Sequence, residues 1–323
     1  MGTGVMRPAL VLPLLLFVAG CAATLQSGRL PPAAFADPVE LEAIAFFPQD
    51  AYQCGPAALA TALDWAGIET TPAALVPEVY LPARRGSLQL ELGAGARRRG
   101  AVPYVLRPRL EALLAEVAAG HPVVVLQNLA FSWYPKWHYA VVVGFDRARD
   151  ELILRSGREP RHVVPFAVFE RTWRRGGYWA LVVMPPDRLP RTAEEIPYLQ
   201  AVVELERLRR WHEAGAAYRA ALTRWPESLA ARLGLGNARY ALGDLAGAER
   251  AYRAATEAHP DSGIAFNNLA QTLAAQGRFE EAEHAIARAL ALGGRHEATF
   301  EATFGEIRAR RENQKSGTAD ERR

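Results

Sequence analysis

The sequence predicts two units, an α+β domain followed by an all-α helical solenoid, and three observations carry that prediction. A run of helical period near residue 57 is followed by short, Val-rich apolar runs that mostly neighbour one another. That order belongs to an α+β domain rather than to a wound parallel sheet. Beyond residue 195 the chain repeats every 34 residues, as Ala214, Ala248 and Ala282 show. With 323 residues, half of them hydrophobic, the chain can bury two cores.

Charge narrows the function classes. The formal net charge is +3 and the pI about 9.0. The basic residues are nearly all Arg and are scattered among 35 acids, with no basic run interleaved with aromatics. Nucleic acid is therefore not expected as a partner. No His/Asp/Glu cluster has metal-ligand spacing and no Gly-rich phosphate loop follows a strand, so neither a metal nor another cofactor is expected.

Residues 1–20 read as a targeting segment. Arg7 supplies the positive charge, and the apolar run Ala9–Gly20 is shorter than the about 20 residues a spanning helix needs. The run ends in Val18-Ala19-Gly20-Cys21, which resembles the lipobox of bacterial lipoproteins. The resemblance implies acylation of Cys21, cleavage before it, and a membrane partner held through lipid. Ala22, where an Asp would favour inner-membrane retention, implies the cell envelope and the periplasmic face of a Gram-negative outer membrane. Residues 21–40, small, polar and Pro-containing, read as a tether. The second and last cysteine, Cys54, then stands alone in an exported chain, either buried or reactive.

The α+β domain is expected over 41–184. Ala57–Trp65 is helical in period and stops at Gly67, and Arg109–Ala119 is a second helix ending at Gly120. Pro122–Leu126, Tyr139–Phe145, Glu151–Leu154 and Trp179–Met184 read as strands. Residues 185–197 have linker composition, overlapping the first repeat. Over 195–296 four registers agree. These are Ala214, Ala248 and Ala282; Tyr218, Tyr252 and Ile286; Ala221, Ala255 and Ala289; and Pro226, Pro260 and Gly294. They resemble three tetratricopeptide repeats, which implies a protein partner docked by the solenoid. The first copy departs, with Ala201-Val202 where the others carry Leu235-Gly236 and Leu269-Ala270, as a terminal cap would. Residues 297–323 read as a capping helix and a polar tail.

The chemistry centres on Phe46–Leu63. Cys54 precedes a helix whose first turn carries Gly55-Pro56, and a thiol there meets unpaired N–H groups that favour thiolate. Five residues upstream, Gln49 can bring its amide beside the Cys54 N–H as an oxyanion hole. His138 opens a buried strand that runs to Gly144-Phe145-Asp146. His121 and His162 also precede strands and are the other candidate bases, without that context.

Gln49…Cys54-Gly55-Pro56 followed by His138-Tyr139…Gly144-Phe145-Asp146 resembles the papain-like peptidases that process double-glycine leaders of bacteriocins. The resemblance implies a papain-like fold, a peptide or protein substrate, Cys54 as nucleophile, His138 as base and acid, and Gln49 as oxyanion donor. It breaks at Ser156, which falls where the family usually has the Asp that orients the imidazole. Ser156, Asp146 or a backbone carbonyl is left for that task. Two other readings stay open: a peptide-binding adaptor with weak chemistry, and an acyl transferase or amidase on the same Cys-His pair. The aromatic loop Phe131–Trp137 either lines the cleft beside His138 or forms a packed hairpin tip.

Overall fold

Strands rich in Val and apolar throughout belong at the centre of a sheet covered on both faces, and here they form it. β1 (Val39–Glu40), β2 (Val102–Val105), β3 (Val123–Asn128), β4 (Trp137–Asp146), β5 (Glu151–Ser156), β6 (Glu159–Pro165) and β7 (Ala180–Met184) make one antiparallel sheet. Its order is β2-β7-β3-β4-β5-β6, with β1 beside the far end of β4. The computed structural model describes residues 25–30, 36–49 and 53–320, the last five through their backbone alone. The targeting run and Cys21 lie outside the described residues.

Alternation sorts the side chains into two layers. Val124, Val141, Val143, Leu181 and Val183 face α1 (Cys54–Trp65), α2 (Pro72–Val79) and α3 (Gln89–Arg98). Val123, Val125, Ala140, Val142, Val182 and Met184 face α4 (Leu110–Ala118) and α5 (Phe166–Arg175). Every residue of α1 from Gly55 to Leu63 is buried, so this is a core helix without a polar face. Gly144 is needed where β1 meets β4, because a Cβ there would strike the Val39 carbonyl and the Glu40 backbone.

Two segments expected to hang free are bolted down, each by a buried carboxylate. Glu170 on α5 accepts from the backbone N–H of Gln26 (2.6 Å) and of Ser27 (2.7 Å). Gln26 also donates to the Pro108 carbonyl and accepts from the Leu110 N–H. The stretch read as a tether is thus, from Gln26 and again at Val39–Glu40, part of the domain. Glu116 on α4 accepts from the N–H groups of Arg191 (3.0 Å) and Thr192 (2.6 Å) and contacts His121. The stretch read as a linker is fixed in the same way. A carboxylate removed from water needs such donors, and a passing backbone supplies them.

The C-terminal helices pair as α6 (Glu195–Arg207) with α7 (Trp211–Arg224), α8 (Leu229–Ala241) with α9 (Leu245–Ala258), and α10 (Gly263–Ala275) with α11 (Phe279–Leu292). One further helix, α12 (Glu297–Asp320), follows where a short cap and polar tail were expected. Ala214, Ala248 and Ala282 are fully buried where helices cross, and the Tyr218 and Tyr252 rings occupy the space a side chain at Gly234 or Gly236 would fill. The first copy departs from the pattern for a reason the sequence hid. Tyr198, Leu199, Val202 and Leu205 of α6 share one core with Val102 and Tyr104 of β2, so this helix covers the sheet instead of capping toward solvent.

Candidate active site

One edge of the sheet collects the predicted residues. Cys54 is the first residue of α1, so its backbone lies in the turn whose N–H groups lack helical partners. The thiol is approached by the N–H groups of Tyr139, Gly55 and Cys54 itself, which pull its pKa down, yet burial outweighs them and pushes it up. The N–H groups act in the direction expected of a helix N-terminus, and desolvation of the buried thiol exceeds their pull.

His138 follows Trp137 at the start of β4, opposite Gln127 of β3, and its neighbour Tyr139 is the residue whose N–H reaches Cys54. Its Nε2 lies 2.8 Å from the Ser156 hydroxyl at the end of β5. Burial, with repulsion from Lys136 and His162, pulls the His138 pKa down to about 4, so the ring is neutral near pH 7. Gln49 is clamped on three sides. Its N–H donates to the Gly157 carbonyl (2.9 Å), its side-chain oxygen accepts from the Gly157 N–H (3.1 Å), and its Nε2 donates to the Tyr139 carbonyl (3.3 Å). The amide keeps a second N–H for another acceptor.

His138, Ser156 and Gln49 thus meet around Ser156–Gly157, and Cys54 adjoins them through the Tyr139 backbone, while the alternatives are held by other partners. Asp146 sits at the opposite end of β4, where it accepts from the Arg149 N–H. His121 lies at the start of β3, on that far edge, against Glu116 and the Trp65 ring. His162 is on β6 opposite Leu154, paired with Glu159. Among the described residues, no three His, Cys, Asp or Glu side chains converge as a metal site.

Three supporting residues escaped sequence reasoning. The buried Arg155, just before Ser156, donates to the carbonyls of Glu42, Ile44 and Pro160 and so ties the approach to Gln49 to β5. Ser87 stands over Gly55, leaving no room for a side chain there, and its carbonyl accepts from the Tyr139 hydroxyl. Trp179 stacks edge-on with Tyr139 at 5.8 Å. Arg155 directly follows the apolar run Leu152–Leu154, which marks it as unusual without naming its acceptors.

Comparison with solved structures gives distant likenesses. A Bacillus anthracis protein described as a C39-like peptidase is 19% identical, covering 46% of this chain and 98% of that one, with a TM-score of 0.40. The Yersinia enterocolitica type III secretion chaperone SycD, in complex with a peptide of the translocator YopD, is 18% identical over 37% of this chain and 91% of its own, TM-score 0.33. The TPR2B domain of yeast Sti1 is 18% identical over 34% and 92%, TM-score 0.33. No curated protein matches the chain. Residues 41–181 match the Peptidase_C39 like family, and 199–263 and 233–299 match the tetratricopeptide repeat. The chain therefore joins a mixed α/β domain that resembles the C39-like peptidases to an all-helical region of tetratricopeptide-like repeats.

Proposed function

We propose that the chain is a cell-envelope cysteine peptidase that cleaves peptide bonds through Cys54 and His138. The observation that carries this reading is the His138–Ser156 contact beside a thiol that receives three backbone N–H groups. With Nε2–H donated to Ser156, the ring keeps Nδ1 unprotonated for Cys54. The resting pair is neutral, so His138 takes the thiol proton as the sulfur attacks the scissile carbonyl. The oxyanion is met by the Cys54 N–H and the free N–H of Gln49. His138 then protonates the departing amine, and water, deprotonated by the same ring, hydrolyses the thioester.

Acylation at Cys21 would hold the enzyme to the membrane, with the periplasmic face of the outer membrane as its site. The repeats would dock a protein, either substrate or partner, in the groove lined by Trp211, Asn237, Tyr252, Asn268 and Gln271. Mass spectrometry of envelope peptides from cells with and without Cys54→Ala tests the peptidase, and identical peptide sets would refute it. A second reading, a peptide-binding adaptor, is favoured by the hydroxyl where a carboxylate would better support imidazolium. Tight peptide binding without turnover by purified protein would select it. Loss of labelled fatty acid from Cys21→Ala is the outcome expected for the anchor.

A further inference from the structure

The hairpin between β3 and β4 presents aromatic rings to water. Trp133 is 81% exposed, Tyr134 70%, Phe131 65% and Trp137 54%. The loop is nevertheless built firmly. The Asn128 side chain accepts from the N–H groups of Ala130 (3.0 Å) and Lys136 (2.9 Å) and donates to the Phe131 carbonyl (3.2 Å). The Phe131 and Trp133 rings stack at 5.5 Å, with Tyr134 leaning on Trp133. Leaving such a side chain in water forgoes about 1.5–3 kcal/mol of burial, so a rigid cluster of three marks a contact surface.

Two further observations say what it contacts. The first is charge. Arg175 of α5 donates to the Asn128 carbonyl at the hairpin base (3.1 Å), and Arg171 and Arg174 lie exposed on the same helix, with Lys136 in the hairpin itself. Of the acids on the helices of this face, Glu170 is buried against Gln26 and Ser27, Glu116 is buried against Arg191 and Thr192, and Glu194 is paired with Arg107. The second is where the chain enters the domain. Gln26 is held by Pro108 and Leu110, just past β2, whose end at Val105 is in register with Leu181. Leu181 in turn pairs with Val124, and β2 and β3, both antiparallel to β7, run in the same direction, so the chain leaves β2 heading toward the hairpin end of the sheet, four residues short of the level of Asn128. Cys21 precedes Gln26 by five residues, a reach of at most about 18 Å.

We infer that the hairpin is a membrane-interface contact. Phe131, Trp133 and Tyr134 enter the headgroup region of an anionic bilayer, and the arginines of α5 meet its phosphates. Trp and Tyr suit that depth because one end of each ring system is apolar and the other polar. The cleft of Cys54 and His138, at the same edge, then opens beside the membrane surface. The contact extends the envelope reading, and it can be tested without the acyl chains.

The test uses the chain from residue 22 onward, which retains every described residue and lacks Cys21. Sedimentation with phosphatidylglycerol-containing vesicles should bring the protein down, and brominated acyl chains should quench its tryptophans. Trp133→Ser with Tyr134→Ser should weaken partitioning by about tenfold or more, while the alkylation rate of Cys54 stays unchanged. Arg171→Glu should weaken it for anionic vesicles alone. The inference is overturned if the unsubstituted chain stays in the supernatant or if the double variant binds as well as it does. A rise in KM for a soluble peptide without vesicles would assign the hairpin to substrate instead. Hairpin-dependent dimers in lipid-free buffer would assign it to a second copy. Partitioning is read whether or not the site hydrolyses peptides, so failure of either reading is seen separately.

Discussion

Cys54 and His138 are shifted in opposite directions, the thiol up and the imidazole down to about 4, and both shifts disfavour charge. A pre-formed thiolate–imidazolium pair would alkylate fast at mildly acidic pH. This neutral pair should instead react slowly there, with the rate climbing into the alkaline range, and an iodoacetamide rate profile reads the difference. Ser156→Asp places a carboxylate beside the Nε2 of His138, favours the charged ring, and should accelerate alkylation at mildly acidic pH roughly tenfold per unit of pKa gained. Cys54→Ala and His138→Ala should each abolish turnover without adding to one another, and Gln49→Ala should cost about 10²–10³ in rate. Cys54 and His138 were legible because motif and spacing are local. Arg155 was less so: its acceptors at Glu42 and Ile44 lie more than a hundred residues away, so nothing near it in sequence announces its task.

The segments that join elements gave the least in advance. Pro and small polar residues mark a stretch that cannot be helix or sheet, and say nothing of whether a carboxylate elsewhere will need its N–H groups. Glu170 and Glu116 looked like ordinary helix-surface acids, and burial alone makes them anchors for 26–27 and 191–192. Glu170→Ala should therefore destabilise the domain by about 1–3 kcal/mol through the N–H groups it strands. It should also open the chain to trypsin at Arg29, which limited proteolysis would detect. Among the helices, Ala248 is fully buried at a crossing, so Ala248→Trp has nowhere to place its ring. Loss of helical circular dichroism in that variant is the expected outcome; Ala248→Ser should keep it.

At the scale of the molecule, the sequence divides the chain at its linker, and the core does not. Burying Tyr198, Leu199, Val202 and Leu205 against the sheet contributes about 1.5–3 kcal/mol per side chain. Together these approach the whole stability of an ordinary domain. The α+β domain and the first helical pair should consequently unfold in one calorimetric transition. Deletion of residues 198–323 should yield an insoluble domain rather than a free peptidase, so the repeats are better probed by Asn268→Ala and Gln271→Ala in the intact chain. If the groove recruits substrate, those changes raise KM for the natural substrate and spare a short synthetic one. The same buried seam gives the solenoid a direction of growth. A free-standing array needs a polar-faced repeat at both ends, whereas here the sheet closes one end with its own apolar strand. Duplication or loss of a helical pair is then tolerable only toward α12, and relatives of this architecture should differ in length at that end, with the junction held constant.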